Sequence, residues 1–215
     1  PELDGALPAI RRMVEWGTVA AVGHTDASYE QARAAVEAGA TVATHLCNAM
    51  RPIHHREPGP VVALMEDPRV TVELIVDGVH LHPALYRSVT HDAGPDRVAL
   101  ITDAMAAAGM PDGSYTLGAL DVDVTNGIAH VAGTGTIAGS TATMDRVFRN
   151  AVLASDRPRD EALALAVRQT SLNPARAIGL PEAGLVAGTS ADLVVLNDDL
   201  RVQGVLHRGT WAPGV

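Results

Sequence analysis

The chain has 215 residues, 47% hydrophobic and 19% charged, which is enough apolar material for a sizeable core and too much for compositional disorder. A formal net charge of −9 with no lysine- or arginine-rich run argues against nucleic acid or an anionic membrane as the main partner, and leaves a small-molecule ligand. A single cysteine, Cys47, rules out an internal disulfide framework, and no apolar run reaches the ~18 residues that span a bilayer, so a cytoplasmic protein is expected. The first ten residues, PELDGALPAI, carry neither the basic nor the apolar region of a signal peptide. Aromatic residues are only 3%, so the core falls to Val, Ala, Leu and Ile, as in buried parallel strands.

The apolar run TVAAV at 18–22 reads as a strand. The segment SYEQARAAVEAG that follows has Ser28 as N-cap, apolar positions at helical spacing and Gly39 as a stop. A second run, TVAT at 41–44, comes next, so strand, helix and strand make a βαβ unit with parallel strands. The pattern continues with a helix at PGPVVALMED, a strand at 70–77, a helix at HPALYRSVTHDAG and a strand at 97–103. Each strand runs directly into polar residues: Gly23-His24, His45, Asp77 to His80, and Thr102-Asp103. Enzymes of the α/β barrel kind place their chemistry at that rim, because βα loops emerge there from a rigid scaffold.

After Asp103 the period changes. Residues 113–133 alternate and contain Asn126-Gly127, which predicts an inserted antiparallel hairpin. A helix over 140–155, capped by Ser140 or Thr141, and another over 159–179, broken or restarted at Asn173-Pro174, complete the first unit at about residue 180. Residues 181–215 read as short strands of a small β-sandwich. The expected fold is therefore α/β, the later part of a (β/α)8 TIM-type barrel over 1–180 followed by sandwich strands over 181–215.

The 21-residue spacing of His24 and His45 is one βα repeat, and neighbouring parallel strands lie ~4.8 Å apart. Two imidazoles at adjacent tips can thus converge on one cation at metal–nitrogen distances of about 2.0–2.1 Å. One histidine alone is more often a packed or capping residue; a pair at corresponding positions, with Asp103 later on the same rim, favours a metal site. Asp103 follows an apolar strand, where a carboxylate can take a proton from activated water and return it to a leaving amine, or else cap a helix. His80 is placed to donate to a developing oxyanion, while Asp77 satisfies backbone donors in the turn. Arg56 sits in the polar loop RPIHHREPG, where its fork suits a phosphate and equally suits solvent. His54 and His55 carry no assignment. Gly133 to Ala138 fits G-x-G-x-x-A before a helix, a rival dinucleotide reading opposed by the hairpin strand that precedes it.

In order and spacing, GHTDAS, THLCNAM followed by REPG, DGVHLHP, ITDAM, GTIAGS and the tail with ADLVVL resemble the N-acetylglucosamine-6-phosphate deacetylase family of the amidohydrolase superfamily. The resemblance covers nearly the whole chain. It implies that His24 and His45 bind a divalent metal ion, commonly zinc, and that Asp103 is the general base and acid. It implies that Asn48, Ala49, His80 and the Ile137-Ala138-Gly139 backbone contact the amino sugar. Arg56 would grip the sugar phosphate from the neighbouring subunit of a homodimer. The implied reaction gives glucosamine 6-phosphate and acetate. Cys47 stands where the family usually has an aromatic or aliphatic residue. The family's earlier strands, its H-x-H pair, its metal-binding glutamate and a phosphate-binding histidine have no counterpart here, so the sequence reads as a C-terminal portion, expected to bind metal weakly and not to turn over alone. Two alternatives remain: an amidohydrolase for another acylated sugar or a cyclic amide, and a non-catalytic sugar- or metal-binding domain.

Overall fold

The computed structural model describes residues 1–181 and 184–213; the ends of the expected sandwich segment, at 182–183 and 214–215, lie outside the described residues. A helix, α1 (Ala6–Glu15), opens the chain, followed by β1 (Ala21–Val22), α2 (Tyr29–Glu37), β2 (Val42–Ala43), α3 (Gly59–Glu66), β3 (Thr71–Ile75), α4 (Pro83–Ala93) and β4 (Val98–Ile101). The four strands pair in parallel in chain order, with Ala21 opposite Val42, Val42 opposite Thr71 and Val72 opposite Val98. Strand and helix alternate as expected, although β1 and β2 are only two residues long. Helix α1 was not expected; no residue on it is buried, and only Leu7 and Ile10 pack on the core.

Local chemistry sets the helix boundaries. Ser28 caps α2 through a reciprocal pair, accepting from Gln31 N at 3.2 Å while Gln31 Oε1 accepts from Ser28 N at 2.8 Å. Pro83 starts α4, His82 Nδ1 accepts from Ala84 N at 3.1 Å, and Gly94 at φ 83° ends it. Arg97 ties the end of α3 to β4: its guanidinium donates to the carbonyls of Met65, Asp67 and Val70 at 2.7–3.0 Å. The core between sheet and helices holds Leu46, Leu64, Val72, Leu74, Val98 and Leu100, each at most 1% exposed. Full burial of side chains this size stabilises by about 1.5–3 kcal/mol each.

Beyond β4 come β5 (Gly113–Leu117), β6 (Leu120–Thr125) and β7 (Ile128–Val131), an antiparallel sheet turning at Asn126-Gly127 with φ of 53° and 71°. Its own small core joins Val122, Val124 and Ala129 to Met105 and Ala138, so the excursion folds back onto the residues just after β4. Helix α5 (Met144–Ala154) has Thr143 at its N-cap, not Ser140 or Thr141. Ser140 is committed elsewhere, because its N–H donates to the Asp103 carbonyl at 2.8 Å and its carbonyl accepts from Met105 N at 2.9 Å. Helix α6 (Arg159–Val167) passes through a π-helical turn (Arg168–Leu172) into α7 (Asn173–Ala177), so the chain restarts at Asn173-Pro174 without breaking. The strands β8 (Leu193–Leu196), β9 (Val202–His207) and β10 (Thr210–Trp211) make a third, antiparallel sheet. Among the described residues the parallel sheet has four strands and is open. No helix among them is long and apolar enough to cross a membrane.

Candidate active site

Parallel order puts the C-terminal ends of β1 to β4 along one edge, the edge where open α/β sheets bind ligands. There the rings of His24 and His45 meet edge to face, with centroids 4.7 Å apart and planes at 67°. Glycine permits the approach. A Cβ at Gly23 would stand 2.7 Å from Thr44 Cβ, inside any real contact, so a larger residue would push the end of β1 away from β2. The backbone also turns sharply at each tip: φ is 45° at His24, 30° at His45 and 48° at Asp103, and 78° and 49° at Cys47 and Ala49. Left-handed backbone costs a non-glycine residue about 1 kcal/mol or more, and such strain concentrates where function requires a particular aim.

His45 is buried, and its Nδ1 has no hydrogen-bond partner among the described residues, whereas His24 is exposed. A buried ring nitrogen left without a partner is costly and suits coordination of a cation. Asn48 holds the His45 turn, its N–H and Nδ2 both donating to the His45 carbonyl, at 2.9 and 3.1 Å. Ala49 is exposed beside it. Burial raises the Cys47 thiol above its ordinary range, so it behaves as packing and not as a nucleophile. Among the described residues no three His, Cys, Asp or Glu side chains are grouped closely enough to hold an ion; the donors brought together are a pair. The pair fits two positions of a divalent site.

Sequence reasoning missed Glu73, in the middle of β3. Burial raises its carboxyl above the ordinary range, the N–H and charge of His45 pull it back, and Asp103 pushes it further up. Glu73 thus lies on the strand between the one that ends at His45 and the one that ends at Asp103. An acid in the apolar run VTVELIVD is the signal that could have found it, because alternation sets Glu73 opposite the buried Val72 and Leu74.

His80 Nδ1 lies 2.8 Å from Asp77 Oδ2, and Asp77 Oδ1 accepts from the N–H groups of Val79 and His80, each at 2.9 Å. Burial pushes the Asp77 carboxyl up, but the His80 ring and these two N–H groups outweigh it and leave it below the usual carboxylate range. Asp77 therefore does more than fill its turn: it fixes the His80 ring. Asp103 is exposed at the end of β4. The Ile137-Ala138-Gly139 backbone returns beside it, with Gly139 at φ 64° and its missing Cβ 3.1 Å from the Asp103 carbonyl. This return is a β-hairpin, since Ala138 N donates to Ala129 O at 3.0 Å and α5 starts only at Met144; the G-x-G-x-x-A segment does not open a βαβ unit, which overturns the dinucleotide reading. Arg56 is not drawn to the strand tips. It is exposed on its loop, with Nη1 2.8 Å from His55 Nε2.

The sequence profile of the Amidohydrolase family matches residues 2–212. The chain belongs to the amidohydrolase family. An amidohydrolase fold built on a parallel sheet with separate antiparallel sheets is thereby established for the part described. The chain is 66% identical, at a TM-score of 0.97, to an N-acetyl-D-glucosamine-6-phosphate deacetylase from Mycobacterium smegmatis, solved as a mutant in complex with N-acetyl-D-glucosamine-6-phosphate, over 98% of this chain and 55% of that one. It is 42% identical over 214 residues to an N-acetylgalactosamine-6-phosphate deacetylase from Escherichia coli O157:H7, 99% of this chain and 55% of that protein. It is 43% identical over 210 residues to an N-acetylglucosamine-6-phosphate deacetylase from Danio rerio, 94% of this chain and 51% of that protein. The chain spans about half the length of the curated relatives it matches.

Proposed function

We propose that this amidohydrolase chain carries the later part of a metal-dependent deacetylase that removes the acetyl group from N-acetylglucosamine 6-phosphate. The observation that carries the reading is the His24–His45 pair, ring centroids 4.7 Å apart on left-handed backbone at adjacent strand tips, with Asp103 on the same edge. The substrate bound to the Mycobacterium smegmatis neighbour supports it. The unit over 1–180 is read as the later βα part of a (β/α)8 barrel, and 181–215 as part of a small β-sandwich.

In this reading His24 and His45 hold a divalent cation, zinc by the character of its imidazole ligands. Such an ion, when bound, polarises the acetyl carbonyl and lowers the pKa of water at the site. Asp103 takes the proton from the attacking water on a carboxylate oxygen and delivers it to the departing amide nitrogen, which leaves as the amine. His80, its Nδ1 held by Asp77, presents Nε2 to the carbonyl oxygen as charge develops there. The loop Asn48-Ala49 and the 137–139 backbone line the amino sugar. Arg56, standing free of the strand tips, reaches the phosphate in the neighbouring subunit of a homodimer, where a guanidinium fork suits two phosphate oxygens.

Asp103→Asn in the intact polypeptide should abolish acetate release while the bound metal, counted by mass spectrometry, stays; undiminished turnover would remove Asp103 from the chemistry. The Escherichia coli relative supports a second reading, the galactosamine epimer as substrate. The ratio of kcat/KM for the two 6-phosphates decides between them.

A further inference from the structure

A cavity of about 420 Å³ lies between α4 and α5, beside the loop that follows β3. Asp77 and Gly78 form its roof, Leu81, Pro83 and Leu153 are apolar wall, and two guanidinium groups, Arg87 from α4 and Arg146 from α5, line it. Both arginines are half-buried. Neither has a carboxylate within ion-pair distance among the described residues, in a chain of net charge −9 where most buried cations could find one.

Each guanidinium spends only part of its hydrogen-bonding capacity on the protein. Arg87 Nη1 donates to the Ala154 carbonyl at 3.0 Å, and Arg146 Nη2 donates to the Asp77 carbonyl at 3.2 Å. A guanidinium has five N–H donors in a fixed fork, so most of both remain for an occupant. The Asp77 carboxylate is already engaged, bound to His80 and two backbone N–H groups. Asp156 lines a neighbouring cavity of about 60 Å³ that shares Arg87 and forms no ion pair with it among the described residues. Two forks facing a space of this volume, with an apolar wall and no carboxylate paired to either among the described residues, match the chemistry of a tetrahedral oxyanion on a small body.

We propose that the α4–α5 cavity is a second anion site, at which Arg87 and Arg146 take the phosphate group of a small phosphorylated molecule or inorganic phosphate itself. The site adjoins Asp77, whose carboxylate holds the His80 ring, and its occupant does not depend on the substrate assigned to the strand tips. Its occupant would lie one hydrogen bond from the Asp77 carbonyl through Arg146.

The test titrates the intact polypeptide with inorganic phosphate and, separately, with glucose 6-phosphate, by calorimetry. Arg87→Gln and Arg146→Gln should each weaken one class of phosphate binding at least tenfold, and Arg87→Lys should weaken it less. Leu153→Glu sets a carboxylate at the cavity rim; that side chain is 69% exposed, so folding is not at stake, and the same class should vanish. Tighter binding of the sugar phosphate than of free phosphate would identify an ester as the occupant, and the reverse would identify the free ion. Isotherms unchanged in Leu153→Glu, or in folded Arg87→Gln and Arg146→Gln, would overturn the site.

Discussion

His80 and Asp77 are three residues apart and joined through Nδ1 and Oδ2 at 2.8 Å, with side chains only 9% and 5% exposed. Three donors converge on one carboxylate, so the ring has a single orientation. Asp77→Asn keeps the shape and removes the charge that holds the ring; kcat should fall about 10–100-fold with KM little changed. Steady-state kinetics on Asp77→Asn, His80→Gln and the double variant check it. The double variant should be scarcely worse than His80→Gln, because both substitutions act on one unit. Equal and independent losses would show that Asp77 serves only its turn.

The distance between the two strand-tip imidazoles depends on an atom that is absent. Gly23→Ala would place a methyl group 2.7 Å from Thr44 Cβ, and the strand must shift to relieve it. The expected cost is about 1–3 kcal/mol of stability. Divalent metal taken up by the intact polypeptide should drop with it, since the His24 ring moves with Gly23. Thermal melting and metal analysis measure the two effects separately, and a destabilised variant that keeps full metal would uncouple Gly23 from the site.

The βα rhythm is what made the strand ends legible. The 21-residue step from His24 to His45, and apolar runs with polar residues immediately after them, marked His24, His45 and Asp103 as candidates without a structure, and Asn126-Gly127 marked its hairpin. What stayed hidden was decided by contacts distant in sequence. Glu73 reads as an ordinary strand residue until β2 and β4, the strands that end at His45 and Asp103, are set on either side of it. Ser140 has the chemistry of a helix cap, yet the Asp103 carbonyl claims its N–H and the helix starts at Met144. The left-handed backbone at His24, His45 and Asp103 is invisible to propensity, because local preference opposes it and tertiary packing imposes it. Helix α1 carries apolar residues at helical spacing, Leu7, Ile10 and Val14, a signal that could have found it even though none of its residues is fully buried.

A second polar network holds the far side of the sheet. Tyr86 donates its hydroxyl to Gln169 Oε1 at 2.8 Å, Gln169 Nε2 donates to Thr90 at 3.3 Å, and burial pushes the Tyr86 hydroxyl up to about 12. Gln169 belongs to the π-helical turn and is 0% exposed. Gln169→Leu fills the volume but removes the amide that accepts from the tyrosine and donates to the threonine. Chemical denaturation should show a loss of about 1–3 kcal/mol. Adding Tyr86→Phe to that variant should restore part of it, because the stranded hydroxyl is then gone; a further loss instead would mean that the hydroxyl finds another partner.

Acid should weaken one surface cluster before it reaches the core. Asp67 accepts from Arg69 through Nε at 2.9 Å and Nη2 at 2.7 Å, and Arg69 Nη2 also donates to Glu37 at 2.7 Å. The Arg69 guanidinium holds the Asp67 carboxyl down at about 2, and the same group lowers Glu37. The folded value lies below the unfolded one, about 3.9 for aspartate. The cluster therefore stabilises the chain above pH 4 and loses that contribution as pH falls from about 4 through 2. Arg69 is 48% exposed, so screening keeps the effect small, about 1–2 °C in Tm. Arg69→Ala should lower Tm by that amount at pH 7 and by almost nothing at pH 2. It should also make the neutral-pH melt less sensitive to 1 M salt. A constant difference between the two proteins from pH 7 to pH 2 would assign the acid limb to other carboxylates, with the buried Asp77 next to be substituted.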